Sequence, residues 1–266
     1  MTAAVDAVLL DVGGVFFLPD HAGVIQALAR AGVHARAGVL DRAHYLALAE
    51  SERHAGGDGG ALLARYRQAY LRAAGVPPER IPDAERELFD ADLGYMRAPW
   101  TRLREQAAAE LRELAATDVG LAVVSNADGS VEQQLRAFGV CQVGDGKGVP
   151  VATVVDSTVV GVAKPDARIF RIALDALAVE PARTVHLGDS LLADVAGARA
   201  AGIHPVHYDP LGLCPADGHR DVASIAELAG LVRSRAPRTD QRSRQGHRRP
   251  PDDHAGPTWG QSRDPE

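Results

Sequence analysis

Four stretches of this 266-residue chain place reactive side chains directly beside short apolar runs. Asp11 lies near the end of the run 7–12, just before Gly13-Gly14. Ser125-Asn126 closes the run that begins at Gly120, and Lys164-Pro165 lies in the loop before a segment starting at Asp166. Gly188-Asp189-Ser190 follows the run 184–187, and Asp194 stands five residues beyond Asp189. Carboxylates in such places serve as nucleophiles, proton carriers or ligands for hard cations, while a Lys and a Ser-Asn pair suit an anion. Each stretch is weak on its own, because an Asp after a strand is often a helix cap and a Ser-Asn pair is often a turn. Composition singles out one of them. Of 29 basic residues, 27 are Arg, and only Lys147 and Lys164 are Lys. A compact ammonium fits beside a carboxylate and an anion where a planar guanidinium fork would crowd them.

The elements that must position these groups follow from hydrophobic pattern. Short apolar runs at 7–12, 120–125, 151–155, 184–187 and 203–207 read as strands. Segments of helical character lie between them, at 101–116, 130–138, 166–177 and 191–201. Such alternation predicts an α/β fold with a Rossmann-like, doubly wound parallel sheet. Ligands of these sheets bind beyond the carboxyl ends of the strands, which is where the four stretches fall. Residues 20–97 carry no convincing strand and read as helices at 22–31, 42–53, 61–74 and 83–93, an inserted all-helical domain. The expected organisation is a catalytic core over 1–17 and 98–232, a helical cap over 18–97, and a tail over 233–266. The tail holds eight Arg against five acids and five prolines, a net of +3 that leaves −9 for the body. With almost no apolar residues beyond Trp259, it reads as a disordered, solvated extension.

Four segments together resemble the haloacid dehalogenase-like hydrolase superfamily: LLDVGGV (9–15), VVSN (123–126), AKP (163–165) and LGDSLLADVAGARAAG (187–202). The resemblance implies a phosphatase-type member in which Asp11 is the nucleophile, attacking phosphorus to form an aspartyl-phosphate that water hydrolyses. It implies Mg²⁺ held by Asp11, the Gly13 carbonyl and Asp189, with Asp194 orienting the metal site directly or through water. Lys164 would neutralise Asp11 and phosphate, and Ser125 and the Asn126 backbone would donate hydrogen bonds to phosphoryl oxygens. The implied substrate is a small phosphorylated metabolite. Most phosphatases of the superfamily carry a second Asp two positions after the nucleophile as general acid and base, and here that position is Gly13.

Three readings of Gly13 stay open. The leaving group needs little protonation; or the acid comes from elsewhere, with Asp20, His21, His44 and His54 as candidates; or the chain is a metal-free 2-haloacid dehalogenase, whose halide leaves unprotonated. Asp189 favours the phosphatase, because two neighbouring carboxylates with no cation between them repel. A catalytically weak member that binds a phosphorylated ligand is the reading of a different class.

A net charge of −6 argues against nucleic acid as a partner. No apolar run reaches the ~18–20 residues of a membrane span. Cys141 and Cys214 form no CxxC, so a reducing cytoplasm is the expected home. A monomer or homodimer is the expected state. Lys147 reads as a solvated loop residue, and Tyr45, Tyr66, Tyr70 and Tyr95 as cap packing with one or two able to line the cleft. Trp100 reads as hinge packing, and His186, His204 and His207 as structural.

Overall fold

The computed structural model describes residues 4–53, 59–90, 96–214 and 218–234. The chain divides into a compact unit spanning Met1–Ala236 and a second unit, Pro237–Glu266, which lies outside the described residues together with nearly all of the expected tail.

The strands are β1 (Ala7–Leu10), β2 (Phe17–Leu18), β3 (Arg102–Leu103), β4 (Gly120–Ser125), β5 (Cys141–Val143), β6 (Val149–Val151), β7 (Val154–Asp156), β8 (Thr184–Gly188), β9 (His204–Tyr208) and β10 (Arg220–Val222). The helices are α1 (His21–Arg30), α2 (Ala37–Glu52), α3 (Gly59–Ala73), α4 (Ile81–Leu88), α5 (Ala107–Ala115), α6 (Val131–Ala137), α7 (Ser157–Val160), α8 (Ala167–Leu177), α9 (Gly197–Ala200) and α10 (Ile225–Arg233). Six strands form a parallel sheet in the order β10-β9-β8-β1-β4-β7. The chain runs outward from β1 through β4 to β7, then returns to β8 on the other side of β1. That reversal makes β1 and its neighbours β4 and β8 the switch point where such sheets bind ligands.

All four residues of β1 are fully buried, as a central strand covered on both faces must be. Its side chains alternate between two cores. Val8 and Leu10 join α5, α6 and α10 on one face, while Leu9 joins Ile169 and Phe170 of α8 on the other. Asp166 caps α8 by accepting from the Arg168 amide at 2.9 Å, and Ser224 caps α10 by accepting from Glu227 at 3.0 Å.

Between β1 and β4 the chain builds a separate helical cluster. Val24 and Leu28 of α1, Leu40 of α2, Leu71 of α3 and Leu88 of α4 pack into their own apolar core. The two chain crossings into this segment are tied to each other. β2 pairs antiparallel with β3, and the Asp20 amide donates to the Pro99 carbonyl at 2.8 Å.

Several expectations shift. The helix expected over 101–116 begins only at Ala107, because Arg102–Leu103 is claimed by pairing with β2. The apolar stretch 151–155 splits into β6, which pairs with β5, and β7, which enters the main sheet. The helix expected over 83–93 stops at Leu88, where Phe89 turns extended and bridges to Met96. The segment expected as helix over 191–201 opens with a π-type turn at Leu191–Ala196. Beyond 207 the sheet gains β10 and then α10, whose last residue, Arg233, belongs to the helix rather than to the tail.

Candidate active site

Asp11 stands at the carboxyl end of β1, and its amide donates to the Leu187 carbonyl of β8 at 2.9 Å. Lys164 Nζ reaches it from the loop before α8, 2.7 Å from Asp11 Oδ1. The same ammonium lies 2.6 Å from Asp194 Oδ1. Asp194 is further held by His186 Nε2 at 2.9 Å and by the Ser190 amide, which donates to Oδ2 at 3.0 Å. All of these side chains are buried. Asn126 places the lysine: its side-chain NH₂ donates to the Lys164 carbonyl at 3.0 Å and its oxygen accepts from the Lys164 amide at 2.8 Å. Ser125 is buried beside it at the end of β4.

Asp189, at the end of β8, meets the helical segment. His44 Nε2 of α2 lies 2.7 Å from Asp189 Oδ2, and His44 Nδ1 lies 2.8 Å from the Tyr66 hydroxyl of α3. The imidazole packs edge-to-face on Trp100, with ring centroids 5.0 Å apart. One turn and two turns further along one face of α2 come Leu48 and Glu52. Glu52 Oε1 accepts from Ser190 Oγ at 2.9 Å and from the Leu191 amide at 2.8 Å. Tyr45 donates to the Gly14 carbonyl at 2.7 Å. The turn after Asp11 is shaped for this closeness. Gly14 has φ +70°, and a Cβ there would fall 1.7 Å from Asp189 Oδ2. No residue with a side chain fits.

The charges explain what the pocket can hold. Oxygens of Asp11, Asp189 and Asp194 lie within 4.8 Å of one another. Burial pushes the Asp11 carboxyl up to about 7, the Asp194 and Asp189 charges push the same way, and Lys164 opposes them. Burial would raise Asp194 too, yet the Lys164 ammonium and the His186 contact hold it well below the usual carboxylate range. For Lys164, burial works against the charge, and Asp11 with Asp194 outweighs it, so the ammonium stays above its ordinary value. Three buried acids facing one ammonium form a hard-oxygen set with an excess of negative charge, and this chemistry suits a divalent cation such as Mg²⁺.

Every sequence-expected site residue therefore converges on the ends of β1, β4 and β8. The lone adjustment concerns Asp194, whose oxygens are engaged by Lys164, His186 and Ser190 rather than turned outward as an open ligand. Among the candidate acids, Asp20 caps α1 through the Gly23 amide and His21 pairs with Asp41, both at 2.7 Å, while His54 lies outside the described residues. His44 alone of the described candidates reaches the cluster. Sequence reasoning missed Glu52, the placement of Trp100 against His44, and the donation from His207 Nε2 to the Asp189 carbonyl at 3.0 Å. The spacing of His44 and Glu52 on one helix face was the available signal. Lys147 lies exposed between β5 and β6, away from the site.

Comparison with known proteins places this geometry. Haloacid dehalogenase-like hydrolase domain-containing protein 3 of Mus musculus is 39% identical over 137 residues, covering 50% of this chain and 50% of its own length. Phosphoserine phosphatase of Thermus thermophilus is 34% identical over 152 residues, covering 57% of this chain and 55% of its own. The chain thus spans about half the length of the curated relatives it matches. A putative HAD-hydrolase from Bacillus subtilis, solved with bound magnesium, shares the fold with a TM-score of 0.53 and 17% identity over 86% of this chain and 99% of that one. The haloacid dehalogenase-like hydrolase family matches residues 5–202, which take in all four motif segments, and this chain belongs to that family.

Proposed function

We propose that the protein is a divalent-cation-dependent phosphohydrolase acting on a small phosphorylated metabolite, with Asp11 as nucleophile. The observation that carries this reading is the buried Asp11–Lys164–Asp194 chain with Asp189 beside it. Asp11, the Gly13 carbonyl and Asp189 are the groups that would hold Mg²⁺, with Asp194 behind them. When bound, the cation supplies the positive charge that lets a carboxylate and a phosphate meet.

The chain's own residues then divide the work. Lys164 Nζ, held by Asp194 and splinted by Asn126, offsets charge on Asp11 and on the phosphoryl oxygens. Ser125 and the Asn126 amide donate to those oxygens. An Asp11 oxygen forms the bond to phosphorus as the bond from phosphorus to the leaving oxygen breaks, giving an aspartyl-phosphate. The leaving oxygen takes a proton from His44 Nε2. Water then attacks phosphorus, His44 Nε2 accepts its proton, and inorganic phosphate departs with Asp11 restored. In this reading the segment 18–97 is a cap that brings His44 to the site and excludes water, so the acid absent at Gly13 is supplied from α2.

The test is phosphate release from a panel of phosphate esters with and without Mg²⁺, for wild type and Asp11→Asn. Metal-dependent release that the substitution abolishes is the expected result. Chloride release from 2-chloropropionate without metal, and no phosphatase activity, would overturn it in favour of a dehalogenase. Wild-type turnover no faster than Asp11→Asn on any ester would make the protein a phospholigand-binding member instead.

A further inference from the structure

Around His207, which meets the Asp189 backbone, the fold assembles a second group of side chains that the hydrolase chemistry does not use. His207 at the end of β9, Cys214 in the following loop, His219, and Asp221 of β10 each offer one donor atom, and these atoms lie within 4.8 Å of one another. In sequence His207 has no acid or cysteine at ligand spacing, and the parallel pairing of β9 with β10 is what brings the four together.

The hydrogen positions make the cluster informative. His207 Nε2 faces the Asp189 carbonyl at 3.0 Å, and a carbonyl only accepts, so Nε2 carries the hydrogen. His207 Nδ1, the nitrogen left to meet an ion, lies 2.9 Å from Asp221 Oδ1. His219 Nε2 meets the same Asp221 oxygen at 3.1 Å and the Cys214 sulfur at 3.2 Å. These separations are a few tenths of an ångström shorter than the roughly 3.3–3.6 Å edges of a tetrahedral zinc shell with N, O and S ligands, so small outward shifts of the side chains would admit the ion. The Asp209 carboxylate fixes the loop by accepting from the Cys214 amide at 2.6 Å. A cavity of about 180 Å³, lined in part by Asp209, Cys214 and Asp221, gives an ion access from outside.

We propose that His207 Nδ1, Cys214 Sγ, His219 Nε2 and an Asp221 oxygen bind one zinc ion. Two imidazoles, a thiolate and a carboxylate suit zinc, and four protein ligands make a closed, structural type of site. Binding exchanges the Cys214 thiol proton for a sulfur–metal bond. A metal-ligating histidine that donates its other nitrogen to a backbone carbonyl is a common supporting arrangement, and here that carbonyl belongs to Asp189. The ion would therefore pin β9, β10 and the Asp189 turn together. This inference does not depend on the hydrolase reading.

The test uses metal-free full-length protein in excess Mg²⁺, which occupies the hard-oxygen set, titrated with Co²⁺ as a spectroscopic probe. The expected result is one equivalent bound, with strong visible bands of tetrahedral cobalt and a near-ultraviolet sulfur-to-cobalt band that stoichiometric Zn²⁺ abolishes. Cys214→Ser should remove the sulfur band, and Cys214→Ser and His219→Ala should each weaken Co²⁺ binding about tenfold or more. Wild-type protein without a sulfur-to-cobalt band would overturn the proposal, and so would either variant binding as tightly as wild type. The wild-type spectrum decides the matter even if a variant fails to fold.

Discussion

Asp194 and Asp189 stand five residues apart on one strand-end turn, yet different parts of the molecule hold them. Asp194 is gripped entirely from within the sheet-bearing core, by Lys164, His186 and the Ser190 amide. Asp189 is gripped by His44 from the helical segment, and Glu52 of the same helix ties down the adjoining Ser190 and Leu191. The first flank is complete whenever the core is folded. The second is complete only while α2 is docked, and α2 is connected to the core through the paired crossings β2 and β3. In the proposed mechanism, charge neutralisation would thus be preorganised, while proton transfer from His44 would be conditional on the position of the helices.

The largest effect is expected at Asp11, which both flanks serve. Asp11→Asn should abolish turnover, a loss of about 10⁴-fold or more in kcat, seen as absent phosphate release at saturating Mg²⁺. On the fixed flank, Lys164→Met should remove activity and stability together. It leaves Asp11 and Asp194 facing each other without a cation, at a cost of about 3–5 kcal/mol measured by urea denaturation in EDTA. An unchanged midpoint would contradict the account of that flank.

On the conditional flank the effect should fall on chemistry alone. His44→Ala should lower kcat/KM by about 10²–10³ for alkyl phosphates, whose leaving oxygen needs a proton. For p-nitrophenyl phosphate the loss should stay under about tenfold, because that phenolate leaves readily. Equal losses on both esters would mean His44 only positions Asp189. Gly13→Asp should produce no gain in turnover. A Cβ at position 13 makes only ordinary contact with the Trp100 ring at 3.6 Å, so the substitution tests the chemistry rather than the packing: with His44 already serving the leaving oxygen, a second acid adds little.

The smallest effect concerns Glu52, whose carboxyl burial pushes up to about 7 from 4.5. A raised folded pKa favours the protonated form, so its contribution is fully present below about pH 4.5 and is lost as pH rises through 7. In EDTA, Glu52→Gln should therefore match wild type near pH 4.5 and melt a few degrees higher than wild type at pH 8. Differential scanning calorimetry at the two pH values checks the sign.

Much of the main sheet was readable in advance, because β1, β4 and β8 are buried, largely apolar runs whose signal is local. The errors cluster where pairing with a distant strand overrode local preference. Arg102–Leu103 has helical neighbours but is recruited by β2, and β10 is too short and polar to announce itself before β9 is present to pair with it. The site divides in the same way. Asp11, Ser125, Lys164 and Asp189 each lie at the end or flank of an element visible in the sequence, and the rarity of lysine marked Lys164 out.

What the sequence determined by itself was therefore the inventory of the candidate site: a carboxylate after each of two central strands, a lysine in the loop, and a Gly13-Gly14 turn after the first strand. Tertiary structure decided the partners. His44 is 145 residues from Asp189, Glu52 is 138 residues from Ser190, and His207 reaches Cys214, His219 and Asp221 only through the pairing of β9 with β10. Helical spacing puts His44 and Glu52 on one face of α2, but nothing local in the sequence encodes which distant residues that face meets. The contacts exist because burying the apolar faces of α2 and β10 brings otherwise unremarkable polar residues to the same few ångströms.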